Sequence, residues 1–338
     1  MQTKLLSSSE IDKAASLLQG GGVVAIPTET VYGLAANAFD GMAVRKIFCA
    51  KGRPMDNPLI VHISDIEEIY QLVADFPLKA QKLCRKFWPG PLTIILPKSK
   101  KIPEEVSAGL ETVAVRLPSH KLARDIIKMA GIPLAAPSAN ISGKPSPTTA
   151  LHVLEDMNGK IDAILDGGAC SIGLESTVIT LTTNPPTLLR PGGITLEQLE
   201  SEIGEVSLNN AVLKKIDNSE KVMSPGMKYK HYAPNARVII LECSREKFID
   251  YVNHKSSENA AALCYNEDAD FIKVKTFTYG SYNNPELQAK NLFDTLRDID
   301  KDKSVEIVYA ICPIKSGIGM AVYNRLIRAA GFEVLYIE

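Results

Sequence analysis

Apolar residues in the first half of the chain fall into short blocks separated by helical patterns. Residues 23–26 read as a strand, 43–50 as a helix and 59–63 as a strand again. The spacing predicts helices over 65–74 and 77–87 and strands over 92–96 and 112–117. Ser119 is placed to cap a helix running to about residue 129, its hydroxyl accepting a free N–H of the first turn. Residues 132–136, 163–165 and 176–181 read as further strands. These elements do not alternate cleanly as βαβ, which predicts a mixed, twisted sheet with helices against it.

Near residue 205 the pattern weakens. Residues 206–236 hold turn formers such as Ser224-Pro225-Gly226 and read as a linker. From Arg237 a regular alternation begins. Strands are predicted over 238–241, 260–264, 305–311 and 334–337, and helices over 246–252, 286–299 and 321–330. That is the pattern of a small parallel α/β domain. The expected organisation is a first domain over 1–205, a linker over 206–236 and a second domain over 237–338.

Length and composition agree with this division. At roughly 150 residues per domain, a chain of 338 residues holds about two. Apolar residues at 45% and charged residues at 23% exclude wholesale disorder. Lys plus Arg is 38 against 39 Asp plus Glu, so bulk charge does not hold this chain to nucleic acid. No apolar run approaches the roughly 20 residues of a membrane span, and the first residues lack the apolar core of a signal peptide. A cytoplasmic location is expected. The six cysteines are scattered with no C-x-x-C pair, and the five histidines show no H-E-x-x-H spacing. Neither a zinc nor a redox motif is supported, and reduced thiols are expected.

Polar and basic residues gather at the predicted strand ends. Pro27-Thr28-Glu29-Thr30-Val31-Tyr32-Gly33 follows the first strand. Lys51-Gly52-Arg53-Pro54 follows the first helix, with Asn57 and His62 behind it. Arg116 ends an apolar strand, where a guanidinium needs a partner. Residues 136–146, Glu175-Ser176-Thr177 and Arg190-Pro191-Gly192-Gly193 complete the set. Cations and many hydroxyl and amide donors at strand ends suit an anionic ligand rich in oxygens, such as a nucleoside triphosphate. Familiar nucleotide loops are missing. There is no G-x-x-x-x-G-K-[ST], and Gly317-Ile318-Gly319 lacks the third glycine of a dinucleotide loop. No G-x-S-x-G elbow appears.

Taken together, these stretches resemble the YrdC-domain family, the threonylcarbamoyl-AMP synthases. The resemblance rests on Ile26-Pro27-Thr28-Glu29-Thr30-Val31-Tyr32-Gly33-Leu34, Lys51-Gly52-Arg53-Pro54, Ala136-Pro137-Ser138-Ala139-Asn140-Ile141-Ser142-Gly143 and Glu175-Ser176-Thr177-Val178, in that order. Residues 224–234 are similar to the linker of the longer two-domain, Sua-type subfamily. Ser316-Gly317-Ile318-Gly319-Met320-Ala321 and Asn324-Arg325-Leu326 are similar to its second domain. The resemblance implies an α/β fold: a YrdC-like twisted mixed sheet with helices, followed by a smaller Rossmann-like domain. The implied reaction joins L-threonine, bicarbonate or CO2, and ATP into threonylcarbamoyl-AMP and pyrophosphate. The product serves threonylcarbamoyladenosine formation in tRNA, next to the anticodon.

The resemblance also implies roles. Arg116 would clamp the threonine carboxylate, and Thr30, His62, Ala136 and Ser176 would line the threonine pocket. Arg53, Asn57, Thr112, Ser138, Ser146 and Arg190 would contact ATP, with Asn140 facing the phosphates. Lys51 and Arg53 would be the catalytic cations. Tyr229 or Tyr232 of the linker would close over the nucleotide. Mg2+ would arrive on ATP rather than on protein side chains, and the partner would be a threonylcarbamoyl transferase complex. Charge builds on phosphate oxygens as the carbamate attacks, so placed cations and donors suit the chemistry without a protein nucleophile. Two other classes stay open on the residues alone. A module that weakly binds RNA without turnover would show salt-sensitive affinity. A sensor with a nucleotide on its second domain would lose that ligand when 237–338 are deleted.

Overall fold

The structure is a computed structural model and describes residues 2–214, 232–255 and 259–338. Residues cluster into two units, one built on 2–142 and 146–212, the other on 143–145, 213–214 and the residues from 232 onward.

The first unit is one mixed sheet. Its strands are β1 (Lys4–Leu6), β2 (Val24–Ile26), β3 (Gly33–Asn37), β4 (Ile60–His62), β5 (Leu92–Pro97), β6 (Thr112–Arg116), β7 (Leu134–Ala135), β8 (Ala163–Leu165), β9 (Thr177–Thr180), β10 (Thr187–Arg190) and β11 (Ser207–Leu208). Their order is β1-β8-β2-β3-β7-β4-β6-β5-β9-β10-β11. The helices are α1 (Ile11–Gln19), α2 (Gly41–Lys51), α3 (Leu78–Phe87), α4 (Glu104–Ser107), α5 (Lys121–Ala130), α6 (Ala150–Met157) and α7 (Leu196–Ile203). The larger core lies on one face of the central strands and includes Val61, Ile94, Val113, Val115 and Ile179. On the other face, Ile60, Ile95, Ala114, Val178 and Leu189 form a smaller apolar patch. Alternation along each strand sends neighbours to opposite faces, so the residues flanking that patch share its side of the sheet.

Three expectations change. Residues 66–71 form a 3-10 helix where an α-helix over 65–74 was expected. Asp65 caps it, but from Leu72 the backbone is spent elsewhere: the Leu72 carbonyl accepts from Ser99, and Val73 bridges Lys98. Ser119 is not the cap of α5; His120 holds that position. The Ser119 backbone N–H faces the Glu29 carboxylate instead. Residues 206–236 are not wholly linker, because β11 pairs with β10 and residues 210–212 form a 3-10 turn. Residues 215–231, the middle of the predicted linker, lie outside the described residues.

The second unit contains β12 (Arg237–Glu242), β13 (Ala260–Cys264), β14 (Lys275–Thr278), β15 (Ile307–Ile311) and β16 (Val334–Tyr336) in the order β14-β13-β15-β12-β16. All pairings are parallel. The helices are α8 (Arg245–His254), α9 (Pro285–Lys301) and α10 (Gly317–Ala329). The expected strand at 260–264 appears with those bounds, and the expected helix at 286–299 lies inside α9. Among the described residues, no helix is long and apolar enough to cross a membrane.

Candidate active site

Strand register assembles the site. His62 of β4 pairs with Arg116 of β6. One residue beyond the Ile94–Val115 pair, Thr93 of β5 comes opposite Arg116. Thr93 pairs with Val178 of β9, and Val178 with Arg190 of β10. The result is a row across five strands whose polar side chains are His62, Arg116, Thr93 and Arg190, interrupted on β9 by Val178 of the small apolar patch.

Arg116 is the hub. It is 3% exposed, which forces its charge to find partners inside the protein. Its Nη1 donates to Thr30 Oγ1 at 2.9 Å and its Nε to the Gly90 carbonyl at 3.3 Å. Its Nη2 lies 2.7 Å from Glu29 Oε1. Thr30 is held in turn, its hydroxyl 2.9 Å from that of Thr28, which donates to the Val31 carbonyl at 2.6 Å. His62 is buried, with Nδ1 3.3 Å from the Ile60 carbonyl. Burial first, and the Arg116 charge second, push its pKa down to about 3. At neutral pH the ring is therefore uncharged.

Ser176 shares this cluster. Its hydroxyl lies 2.7 Å from Thr93 Oγ1 and accepts from Arg190 Nη2 at 3.1 Å, while Arg190 Nε donates to its carbonyl at 3.0 Å. Ala136 follows β7, its N–H bonded to the Ile60 carbonyl. A Cβ at Gly33 would meet that of Ala136 at 3.2 Å, so a glycine there lets this loop lie close over β3.

A second cluster adjoins the first through the sequence neighbours Ala136–Ser138 and Glu175–Ser176. Asp40 caps α2 by accepting from Met42 and Ala43, and Gly52 at φ 61 ends the helix. The reversal buries Lys51 and sends Arg53 back along α2, its N–H bonded to the Phe48 carbonyl. Lys51 Nζ donates to the carbonyls of Ser138 at 2.5 Å and Asn140 at 2.7 Å. The Lys51 carbonyl accepts from the Ser142 N–H at 3.0 Å. Ser138 Oγ donates to Asn140 Oδ1 at 2.6 Å. Burial, and then the Arg53 charge, hold the Lys51 pKa well below its ordinary value. Ser146 Oγ donates to Glu175 Oε1 at 2.5 Å.

Asn57 and Thr112 stand apart from both clusters. Thr112 begins β6, about 13 Å along the strand from Arg116 at roughly 3.3 Å per residue. Asn57 precedes β4, which runs parallel to β6, so both residues sit at the same strand ends. The Oδ1 of Asn57 is buried with no hydrogen-bond partner among the described residues. Tyr232 belongs to the second unit, its ring 5.0 Å from that of Phe293. Tyr229 lies outside the described residues.

Sequence reasoning gave no role to Thr93, Glu29 or Glu175. Thr93 carries a detectable signal, a lone hydroxyl inside Leu92-Thr93-Ile94-Ile95-Leu96 that ends up fully buried. Glu29 and Glu175 stood inside quoted stretches, but only their burial beside Arg116 and Ser146 marks them out.

Lys51 offers a direct test. Replacing it with Met leaves two loop carbonyls without their donor, at about 1–3 kcal/mol for each one that water cannot reach. Lys51→Met is expected to lower the urea midpoint of unfolding; an unchanged midpoint would mean that the loop keeps its shape without the ammonium.

Two family profiles match the chain. Residues 16–192 match the family described as Telomere recombination, and residues 194–331 match the Threonylcarbamoyl-AMP synthase C-terminal domain. The chain belongs to the two-domain threonylcarbamoyl-AMP synthases. It is 48% identical over 333 residues to the Threonylcarbamoyl-AMP synthase of Pyrococcus abyssi, covering 96% of this chain and 95% of that one. It is 47% identical over 334 residues to the Bacillus subtilis protein of the same name, covering 96% and 94%. A solved structure described as P. abyssi Sua5 complexed with L-threonine superposes with a TM-score of 0.91 at 44% identity, over 100% of both chains. Enzymes of this family make the threonylcarbamoyl-AMP intermediate of tRNA modification.

Proposed function

We propose that this chain forms threonylcarbamoyl-AMP from L-threonine, bicarbonate or CO2, and ATP on the sheet face that carries the His62–Arg116–Thr93–Arg190 row. The observation that carries the reading is a buried guanidinium, Arg116, between an uncharged imidazole and a hydroxyl cluster, next to a loop laced to Lys51. Arg116 takes the threonine carboxylate through its remaining N–H groups. Thr30, the neutral His62, Ala136 and Ser176 enclose the threonine side chain. A site that hydrogen-bonds the hydroxyl rejects an amino acid lacking it far more strongly than a missing methyl, worth about 1–3 kcal/mol.

ATP lies along the strand direction, from Asn57 and Thr112 toward Ser138, Asn140, Ser146 and Arg190, with Arg53 facing the phosphates. Lys51 acts by shaping the loop that carries Ser138 and Asn140, since its ammonium is bound to their carbonyls. Mg2+ would arrive on the triphosphate rather than on protein side chains, and would offset the charge that develops on pyrophosphate. The product passes to a threonylcarbamoyl transferase complex.

The test is one incubation with Mg-ATP, L-threonine and bicarbonate, following pyrophosphate and the adduct by mass spectrometry. Pyrophosphate release that requires both threonine and bicarbonate is expected. Release that ignores threonine would overturn the assignment of the pocket.

A further inference from the structure

Glu29 stands between Thr28 and Thr30 in the loop after β2, and no role has been given to it. Its side chain is 6% exposed and that of Arg116 4%. The two charges are 2.7 Å apart and the Ser119 N–H faces the carboxylate, yet among the described residues neither oxygen of Glu29 nor Nη2 of Arg116 has a partner at good hydrogen-bond geometry. A carboxylate offers about four acceptor positions and a guanidinium five donors. Buried, this pair keeps an unfilled acceptor and an unfilled donor side by side, which is costly unless a ligand completes them.

The surrounding charges narrow the ligand. Burial raises the Glu29 pKa, and Arg116 more than reverses that, so the group is ionised. His62 is uncharged, and burial lowers the pKa of His120, whose Nδ1 is buried with no partner among the described residues. Among the described residues, Arg116 and Glu29 are thus the cation and anion in contact here, and they cancel. A neutral ligand with a cation and an anion a few ångströms apart fills both without adding net charge. An α-amino acid zwitterion has that arrangement, with ammonium and carboxylate on one carbon.

We propose that Glu29 receives the α-ammonium of the amino-acid substrate, so that Glu29 and Arg116 together read the zwitterion. This rests on the threonine pocket proposed above. It assigns the nitrogen that will become carbamoylated to the Glu29 side of the pocket, while Thr30 and His62 are left for the side chain. It also explains why a carboxylate is tolerated where the substrate brings a second one: each takes a different charge of the ligand. The alternative is that Glu29 only holds Arg116 in place.

The two are separated by a ligand pair. L-Threonine and its hydroxy-acid analogue, with a hydroxyl in place of the α-ammonium, are titrated into the full-length protein and Glu29→Gln by calorimetry. The wild-type protein is expected to prefer threonine by about 10–100-fold, the worth of a charge-assisted hydrogen bond. In Glu29→Gln threonine should weaken by a similar factor while the analogue binds as well as before or better, so the preference collapses. Equal weakening of both ligands would overturn the proposal in favour of a bracing role, as would unchanged threonine affinity. Should Glu29→Gln fail to fold, Glu29→Asp replaces it: drawing the carboxylate back by one methylene should cost threonine several-fold more than the analogue, and equal losses overturn the proposal. Failure of the pocket itself looks different. Arg116→Lys would then bind threonine like the wild-type protein, and the Glu29 assignment would fall with it.

Discussion

Arg116→Ala is expected to lose threonine binding and to unfold more easily, with the second effect depending on pH. On the proposed reading, the guanidinium offers the substrate carboxylate a charge-assisted contact worth about 1.5–3 kcal/mol, or roughly 10–150-fold in affinity. Its removal also strands Glu29. Breaking a buried ion pair from one side costs about 3–5 kcal/mol, because the remaining charge is left uncompensated. The pH dependence follows from the direction of the Glu29 shift. In the native protein burial pushes its pKa up and Arg116 pulls it below the ordinary 4.5. The pair therefore contributes stability fully above the unfolded pKa, and that contribution fades as pH falls through the lowered folded value. Without Arg116, burial is left to dominate and the folded pKa rises above the unfolded one. Glu29 can then be protonated in the fold, which relieves the variant as pH falls. The difference in Tm between wild type and Arg116→Ala should be greatest near pH 8 and should shrink toward about pH 5. A pH-independent difference would mean that Glu29 finds another partner.

Arg53→Ala should slow adenylate formation by about 10²–10³ and leave threonine affinity nearly as it is. Arg53 follows the buried Lys51 across Gly52, and the Lys51 ammonium is tied to the Ser138 and Asn140 carbonyls. On the reading proposed above, Arg53 is the cation of this pair that meets charge developing on the phosphates. A donor positioned before reaction reorganises little as that charge appears, which is why one such group is worth several kcal/mol. Single-turnover pyrophosphate release at saturating ATP and threonine reads the chemical step directly. A near-normal rate would remove Arg53 from the mechanism, and a rate restored by raising ATP alone would make it a binding group only.

These two experiments depend on features legible to different degrees along the chain. The alternation from Arg237 onward identified β13 and α9, because helix and strand periods are local properties of a half-buried element. Strand β3 was not anticipated. Its Gly33-Leu34-Ala35-Ala36-Asn37 run is almost wholly buried and shows no alternation to read. Helices α1, α6 and α7 were also passed over, as was β10, although Thr149 and Thr195 carry the hydroxyls that cap α6 and α7. Ser119 misled for a tertiary reason: its N–H is turned toward Glu29, far away in sequence.

The sequence by itself determined which residue types gather where a ligand is proposed to bind. It placed Lys51, Arg53, Arg116, Ser138 and Arg190 beside glycines, prolines and hydroxyls, at ends of predicted elements, in an order that resembles one enzyme family. It also determined the parallel character of the second domain, because hydrophobic period and connection length are short-range signals. Only the tertiary structure decided which of those residues touch. The row from His62 through Arg116 and Thr93 to Arg190 depends on two pairings of strands that are not consecutive in the chain, β4 with β6 and β5 with β9. So do the two carbonyls that hold Lys51 and the carboxylate that faces Arg116. The physical reason is one of range. Periodicity and capping are settled within a few residues, whereas strand register and the pairing of buried charges are settled by the whole packed sheet.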